Sequence, residues 1–298
     1  MQEQIHTSVL VQEILSWLQP EAGGRYLDAT LGLAGHALAI MEQTQGRGEV
    51  LGLDQDVQAL ELAQLRLEQA GCLEQVHLAK VSFSNFQQPL KELGWQRLDG
   101  ALLDLGLSSL QLDSRERGFS FQYPGPLDMR MDQSQGFTAK RLLHRSSFQE
   151  MKRIILEYGQ EPMAGRIAKR IVQAREKKEI QNTQELARLV QGAYPGARRR
   201  QSRHHPATKT FQALRIAVNQ ELQELEAFLH KIPEYLRPGA RVCVISFHSL
   251  EDRLVKRAFK KDQGLLKPLT SGPVQPTSRE QEQNPRSRSS RLRAAERI

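Results

Sequence analysis

Apolar positions in the first hundred residues follow two alternating rhythms. Four short runs are almost continuously apolar and end in polar residues: Arg25-Tyr-Leu-Asp-Ala-Thr30, Glu49-Val-Leu-Gly-Leu-Asp54, Val76 to Phe83, and Asp99-Gly-Ala-Leu-Leu-Asp104. Between them, Gly35 to about Thr44 reads as a helix. So does the stretch carrying Val57, Leu60, Leu62, Ala63, Leu65 and Leu67. Short strands separated by helices of this length predict βαβ units and a parallel sheet. The strands do not alternate apolar with polar, as expected when helices cover both faces of the sheet.

After Asp113 the rhythm changes. Residues 115–145 carry Gly118, Pro124, Gly125, Pro126 and Gly136 and read as irregular, and residues 147–193 read as helical. Ile167, Ala168, Ile171 and Val172 form one apolar stripe, with Arg166, Lys169 and Arg170 off it. Asn182-Thr-Gln-Glu185 has the spacing of a capping box. From about Thr208 the repeat Phe211, Leu214, Val218, Leu222, Leu225, Leu229 predicts one long helix ending near Pro233. Arg241 to Ser246 restores the buried-strand pattern as a fifth strand. The chain therefore reads as an α/β domain, residues 1–112 and 217–298, interrupted by a mostly helical insertion at 113–216. Residues 262–290, rich in Pro, Ser, Gln and Arg, read as extended, and Arg291 to Ile298 as an edge strand.

Composition sharpens this division. The 298 residues are 39% hydrophobic, enough for a sizeable core without a disulfide or metal staple, and too many for a wholly disordered chain. No apolar run reaches the length needed to span a bilayer. The formal net charge of +8 is unevenly spread. Residues 1–112 hold 6 Lys/Arg against 14 Asp/Glu, residues 113–216 hold 21 against 10, and residues 217–298 hold 15 against 10. The basic middle third suits a polyanionic partner, though a solvated helical surface has the same composition. Cys72 and Cys243 form no CxxC pair and no Cys/His metal spacing, so no metal is expected and the count fits a reducing compartment. A cytoplasmic protein is the expectation, since the start lacks a basic segment followed by an apolar core.

The loop Asp28-Ala-Thr-Leu-Gly-Leu-Ala-Gly-His36 joins the first strand to the first helix of the βαβ units. Its small residues permit a tight turn, and the helix start offers unpaired N–H donors. Asp54, 19 residues past Gly35, ends the second strand where a carboxylate can accept from ribose hydroxyls. Together they predict an adenosine cofactor at the carboxyl edge of the sheet. The loop is neither G-x-G-x-x-G nor a P-loop, which sets a dehydrogenase or nucleotide hydrolase aside. Asp28 would repel a pyrophosphate but suits the sulfonium and ammonium of S-adenosylmethionine. Asp28 or Asp54 alone reads more readily as a helix cap or a strand end, and it is their joint occurrence in this order that favours the cofactor. Phe83 offers stacking area for adenine, or simply core. Asp104, ending the fourth strand, suits the cofactor ammonium or an acceptor amine, or a helix cap.

These residues, with further runs, resemble the bacterial 16S rRNA cytosine-N4 methyltransferases of the RsmH (formerly MraW) family. The matching runs are His6 to Leu10, Asp28 to His36, Leu103 to Asp113, Arg117 to Phe121, Gly125-Pro-Leu-Asp-Met-Arg-Met-Asp132, His205 to Asn219, Ile245-Ser-Phe-His-Ser-Leu-Glu-Asp-Arg253 and Asn284 to Ser289. They span nearly the whole chain. The resemblance implies a class I S-adenosylmethionine-dependent methyltransferase fold, Rossmann-like with a mostly parallel sheet, and an inserted helical domain that recognises RNA. It implies methylation of the exocyclic N4 of a cytidine, numbered 1402, in 16S rRNA of the 30S subunit, with a homodimer left open. By position it implies cofactor contacts at Ala34, Gly35, His36, Asp54, Phe83, Asp104 and Gln111. Gln111 comes from the resemblance alone.

Three positions depart from the family pattern: Ala29 and Ala34 replace glycine, and Leu110 replaces proline. Alanine fits a backbone-contacting position only if φ stays negative, and cofactor binding is expected to survive. The Asn/Asp-Pro-Pro-aromatic loop of many amino-methyltransferases is absent, since the chain reads Asp104-Leu-Gly-Leu. Ser246 and His248 follow the fifth strand near the expected acceptor. His248 is the one candidate proton acceptor, against a structural role. Arg198, Arg199, Arg200, Arg203 and Lys209 are candidate phosphate contacts. Phe119, Phe121 and Tyr123 are candidates for base stacking or for packing between domains. An RNA-binding assembly protein with a vestigial cofactor fold and a small-molecule methyltransferase are the competing readings. The intact acidic loop positions weigh against the first, and the basic insertion against the second.

Overall fold

A computed structural model describes residues 8–195, 205–261 and 264–298. They form two compact units: residues 1–108 with 222–298, and residues 109–221. The first is built on a seven-stranded sheet of order β3-β2-β1-β4-β5-β7-β6. Its strands are β1 (Arg25–Asp28), β2 (Glu49–Asp54), β3 (Val76–Lys80), β4 (Leu98–Asp104), β5 (Leu236–Ser246), β6 (Leu266–Pro268) and β7 (Arg291–Arg297). β1 to β5 pair in parallel. β7 runs antiparallel between β5 and β6.

The apolar runs are continuous because both sheet faces are buried. Leu27, Ala101, Leu103, Val242 and Val244 point into one core, with Leu90, Phe228, Val255 and Phe259 from covering helices. Their neighbours Tyr26, Leu102, Cys243 and Ile245 point into the other. That second core is covered by Ile14 and Leu18 of α1 (Val11–Leu18), Ala37 and Ile40 of α2 (Gly35–Gln43), and Ala63 and Leu67 of α3 (Val57–Gln69). Each buried Leu or Val contributes about 1.5–3 kcal/mol, so period-two facing with no polar face is what holds the layers together.

Three expectations are corrected here. β3 ends at Lys80, and Phe83 opens a short 3-10 turn, Phe83–Asn85. Residues 291–297 are an inner strand, not an edge. The edge is β6, a three-residue strand ending in Pro268, whose missing N–H is tolerated there. The stretch 262–290 also holds a helix, Ser278–Gln283, and a 3-10 turn, Pro285–Ser289, among its described residues.

The second unit carries α4 (Ser109–Asp113), α5 (Ala139–Arg145), α6 (Phe148–Glu157), α7 (Ala164–Lys177), α8 (Thr183–Gly192) and α9 (Thr208–Asn219). The predicted stripe buries Ile167, Ala168 and Ile171 completely. Asn182 caps α8 by accepting from the Glu185 N–H at 3.0 Å, while Glu185 accepts from Gln181 N–H at 2.8 Å, one residue upstream of a strict box. The single long helix expected from Thr208 is broken. Gln220 adopts φ 52, and α10 (Glu221–Lys231) starts after it. The Asn219 side chain donates to Met129 O at 2.8 Å and to Arg215 O of its own helix at 2.9 Å, and accepts from Met131 N–H at 2.7 Å. The Gly125–Asp132 motif is thereby stitched into the unit, with the buried Arg117 donating to Arg130 O and Met131 O at 3.1 and 2.9 Å.

Candidate cofactor and acceptor site

In the order 3-2-1-4-5 the strand order reverses between β1 and β4, while the strands stay parallel. Loops leaving the carboxyl ends on either side of that point diverge and open a crevice. Asp28 ends β1, Asp54 ends β2 and Asp104 ends β4. The loop from Asp28 to His36 is fastened on several sides. Ala29 N–H donates to Leu102 O at 2.9 Å and Leu31 N–H to Leu53 O at 2.8 Å. Gly32 N–H donates to Asp54 Oδ2 at 2.9 Å, and Arg66 reaches Leu33 O at 2.6 Å. The Thr30 hydroxyl accepts from Asp104 N–H at 2.6 Å, which joins the two sides of the crevice. Thr30 and Arg66 escaped the sequence reading, because a fastening role has no composition signal.

Gly35 opens α2, and a Cβ there would sit 2.0 Å from the Ser8 hydroxyl, so a larger residue fits only if Ser8 moves. Ala34, immediately before it, is fully buried with φ 61. The condition of a negative φ therefore fails. The alanine occupies the left-handed region at a cost of roughly 1–2 kcal/mol, the strain a glycine would avoid.

Four ionisable groups, Asp28, His36, Asp54 and Asp104, gather at the crevice. His36 is 4% exposed, and its Nε2 lies 3.5 Å from Asp104 Oδ2. Burial disfavours the imidazolium, but the close approach and charge of Asp104, with the charge of Asp28, outweigh it and raise the pKa above the ordinary value. Asp28 is wholly buried, and burial lifts its carboxyl to about 6, against the lowering effects of His36 and the Thr30 N–H. Asp54 is likewise lifted to about 6 by desolvation, partly offset by N–H groups of Asp56 and Gly32. Asp28 Oδ2, Asp104 Oδ1 and His36 Nδ1 are buried without a hydrogen-bond partner.

Phe83 packs edge-on against Phe228 with centroids 6.0 Å apart and is 9% exposed, so most of its ring belongs to the core. Ser246 Oγ donates to Arg291 O at 3.3 Å. His248 precedes α11 (Ser249–Lys261) and forms a reciprocal cap with Glu251, three residues on. Glu251 N–H donates to His248 Nδ1 at 3.3 Å, and His248 N–H donates to Glu251 Oε2 at 3.2 Å. Phe247 N–H adds a third bond to Glu251 Oε2 at 2.8 Å, and His248 Nε2 lies 3.1 Å from Oε1. Glu251 was missed, although its spacing from His248 is that of a capping box. Gln111 lies on α4 in the second unit, where it is buried.

The sequence profile of the MraW methylase family matches residues 3–298. The chain belongs to that family. Among MraW relatives, Ribosomal RNA small subunit methyltransferase H of Maridesulfovibrio salexigens is 51% identical, covering 99% of this chain and 96% of that one. Its namesake from Lawsonia intracellularis is 48% identical and covers 99% of both. The crystal structure of PH0851 shares the fold at a TM-score of 0.50 and 12% identity, over 98% of this chain and 46% of that one. The MraW methylases use S-adenosylmethionine, and this chain is an S-adenosylmethionine-dependent methyltransferase. The crevice fits that group: orphaned carboxylate oxygens on Asp28 and Asp104 suit a cation.

Proposed function

We propose that the protein methylates the exocyclic N4 of cytidine 1402 in 16S rRNA of the small ribosomal subunit. The reading is carried by 51% identity over almost the whole length of a relative named for small-subunit rRNA methylation. S-adenosylmethionine, when bound, supplies a methyl group on a sulfonium.

Asp28 and Asp104 hold the positive end of the cofactor, Asp54 accepts from its ribose hydroxyls, and Ala34, Gly35 and His36 line it with backbone and imidazole. Phe83 and Gln111 are the remaining contacts of this assignment. Asp104 also ends β4 beside the point where the acceptor amine enters. That amine is a weak nucleophile because its lone pair is delocalised into the ring, so alignment by a rigid crevice supplies much of the rate. His248 is engaged at Nδ1 as a cap acceptor, with Nε2 3.1 Å from Glu251 Oε1, an arrangement that favours a positioning role over that of proton acceptor. Release of that proton to solvent after methyl transfer satisfies the chemistry.

The second unit recognises RNA in this reading. Of its candidate contacts, Arg198, Arg199, Arg200 and Arg203 lie outside the described residues. Lys209 donates to Gln160 O at 3.1 Å with one of its three N–H bonds. Phe119 is buried, and Phe121 packs on Phe211 and His205 at 4.9 and 4.7 Å, so these two serve packing within the unit. Tyr123 is 53% exposed with the Arg115 guanidinium 4.0 Å from its ring centroid, the form of a stacking platform. The target cytidine must leave its stack to reach a buried methyl donor.

The test is transfer of tritiated methyl to free 16S rRNA, small subunits and whole ribosomes, followed by mapping of the modified base. Label at N4 of cytidine 1402 is expected. Cofactor binding without label in any small-subunit substrate would overturn the reading.

A further inference from the structure

Helix α11, Ser249–Lys261, leaves the carboxyl end of β5, the same sheet edge that carries Asp28, Asp54 and Asp104. Its inner face, with Val255 and Phe259, is buried in the core against the sheet. On its outer face stand Arg253, Lys256, Arg257 and Lys260, all exposed. Their i, i+3, i+4, i+7 spacing places them within an arc of about 100° along about 10 Å of helix.

The surroundings leave this charge uncompensated. Glu251 is spent capping the helix start. Asp252 is held by Arg293 at 2.6 Å and Arg291 at 3.7 Å. Among the described residues, none of the four cations has a hydrogen bond or ion pair. Some basic side chains of the same unit are paired, Arg25 with Glu49, Arg237 with Asp99 and Arg241 with Glu296, and others such as Lys91 and Arg97 stand exposed singly rather than as four on one helix ridge. Like charges three and four residues apart on a helix repel one another, so the arrangement weakens the helix that bears it. The dipole at the carboxyl end of the helix favours Lys260 but not Arg253, which stands in the first half.

We infer that this stripe is a second RNA-backbone contact, placed on the cofactor-binding unit and separate from the basic second unit. It rests on the rRNA reading for its substrate. Four cations on a narrow ridge neutralise successive phosphodiesters and carry no sequence information. A lipid surface does not fit, because the apolar face of the helix is already buried in the core.

The test compares the parent enzyme with the fourfold variant R253Q/K256Q/R257Q/K260Q. A control, K91Q/R97Q, removes two exposed cations elsewhere on the same unit: Lys91 lies in the helix Gln87–Glu92, and Arg97 precedes the amino end of β4. The fourfold variant is expected to raise KM for small subunits about tenfold. It should lower the slope of log kcat/KM against log salt by about 2–3, at roughly 0.7 per phosphate lost. Its kcat at saturation and S-adenosylmethionine affinity should match the parent, its melting temperature should equal or slightly exceed the parent's as the repulsion is relieved, and the control should match the parent throughout. Parent-like KM and salt slope in the fourfold variant overturn the inference. So does a defect confined to intact particles and absent on protein-free 16S rRNA, which would assign the stripe to an acidic protein. If the parent labels no rRNA, the proposed function fails instead, and filter binding of 16S rRNA by the two variants still decides the stripe.

Discussion

The cofactor crevice should titrate, and Asp28 sets where. Its carboxyl is lifted to about 6 by burial, so the group is roughly 97% ionised at pH 7.5 and roughly 9% at pH 5. If the ionised form is the one that holds a cationic cofactor, S-adenosylmethionine affinity falls about tenfold over that range, or about 1.4 kcal/mol. Asp54, also about 6, deepens the loss if its carboxylate must be ionised to accept from the ribose. His36 acts in the same direction, since its protonated form adds a positive charge beside Asp28 and Asp104 as the pH drops. Folding stability of the unliganded protein moves oppositely. A carboxyl raised from 3.8 to about 6 binds its proton more tightly in the folded state. Its contribution is therefore favourable below pH 3.8 and is lost as the pH rises through 6, by up to about 3 kcal/mol. Asp28→Asn should thus raise the unliganded melting temperature at pH 7.5, weaken cofactor binding there, and flatten much of its pH dependence. Titration calorimetry from pH 5 to 7.5, with thermal unfolding on the same samples, reads both. A parent affinity flat across the range, or an Asp28→Asn protein with the parent's slope, refutes the reasoning.

Three further outcomes follow from named contacts. Gly35→Ala should cost about 1–3 kcal/mol by overpacking, and Ser8→Ala should recover most of it, so thermal unfolding of the four proteins gives a clear coupling; additive losses would contradict the contact. His248→Ala should cost about 1 kcal/mol as a lost cap while single-turnover methylation of bound substrate stays near the parent rate; a collapse of that rate at intact stability would restore the histidine as proton acceptor. The Cys243 thiol, fully buried and pushed up to about 12 chiefly by desolvation, should resist a maleimide until the protein unfolds, and labelling under native conditions would contradict the placement of β5.

The fold was legible where one physical signal decided it. Continuous apolar runs ending in Asp28, Asp54 and Asp104 marked strands buried on both faces, and the acidic ends marked the crevice before any contact was known. Legibility failed where two residues far apart in sequence decide the outcome. At the break before Gln220, Asn219 bonds Met129 and Met131, contacts that a periodicity of leucines cannot reveal. The inner place of β7 depends on partners at β5 and β6, and nothing in residues 291–297 alone separates an inner strand from an edge. His248 looked chemical because histidine so often is. The glutamate three residues on explains it as a cap, a pairing visible in the sequence once both residues are considered together. Ala34 shows the reverse case: the departure was noticed, and only the backbone torsion gave it a cost.

The position of β7 bears on how the sheet can assemble. β5 cannot lose its open edge until residues 291–297 arrive, and β6 has no other neighbour in the sheet. Until then, β5 presents a row of unpaired N–H and C=O groups beside a folded parallel core, the form of edge on which chains add to one another. Adding the last strand in the sequence moves the open edge from eleven residues to three. A lesion in that short stretch would therefore show itself first as self-association in newly made protein, ahead of any loss of methyl transfer by molecules that had finished folding.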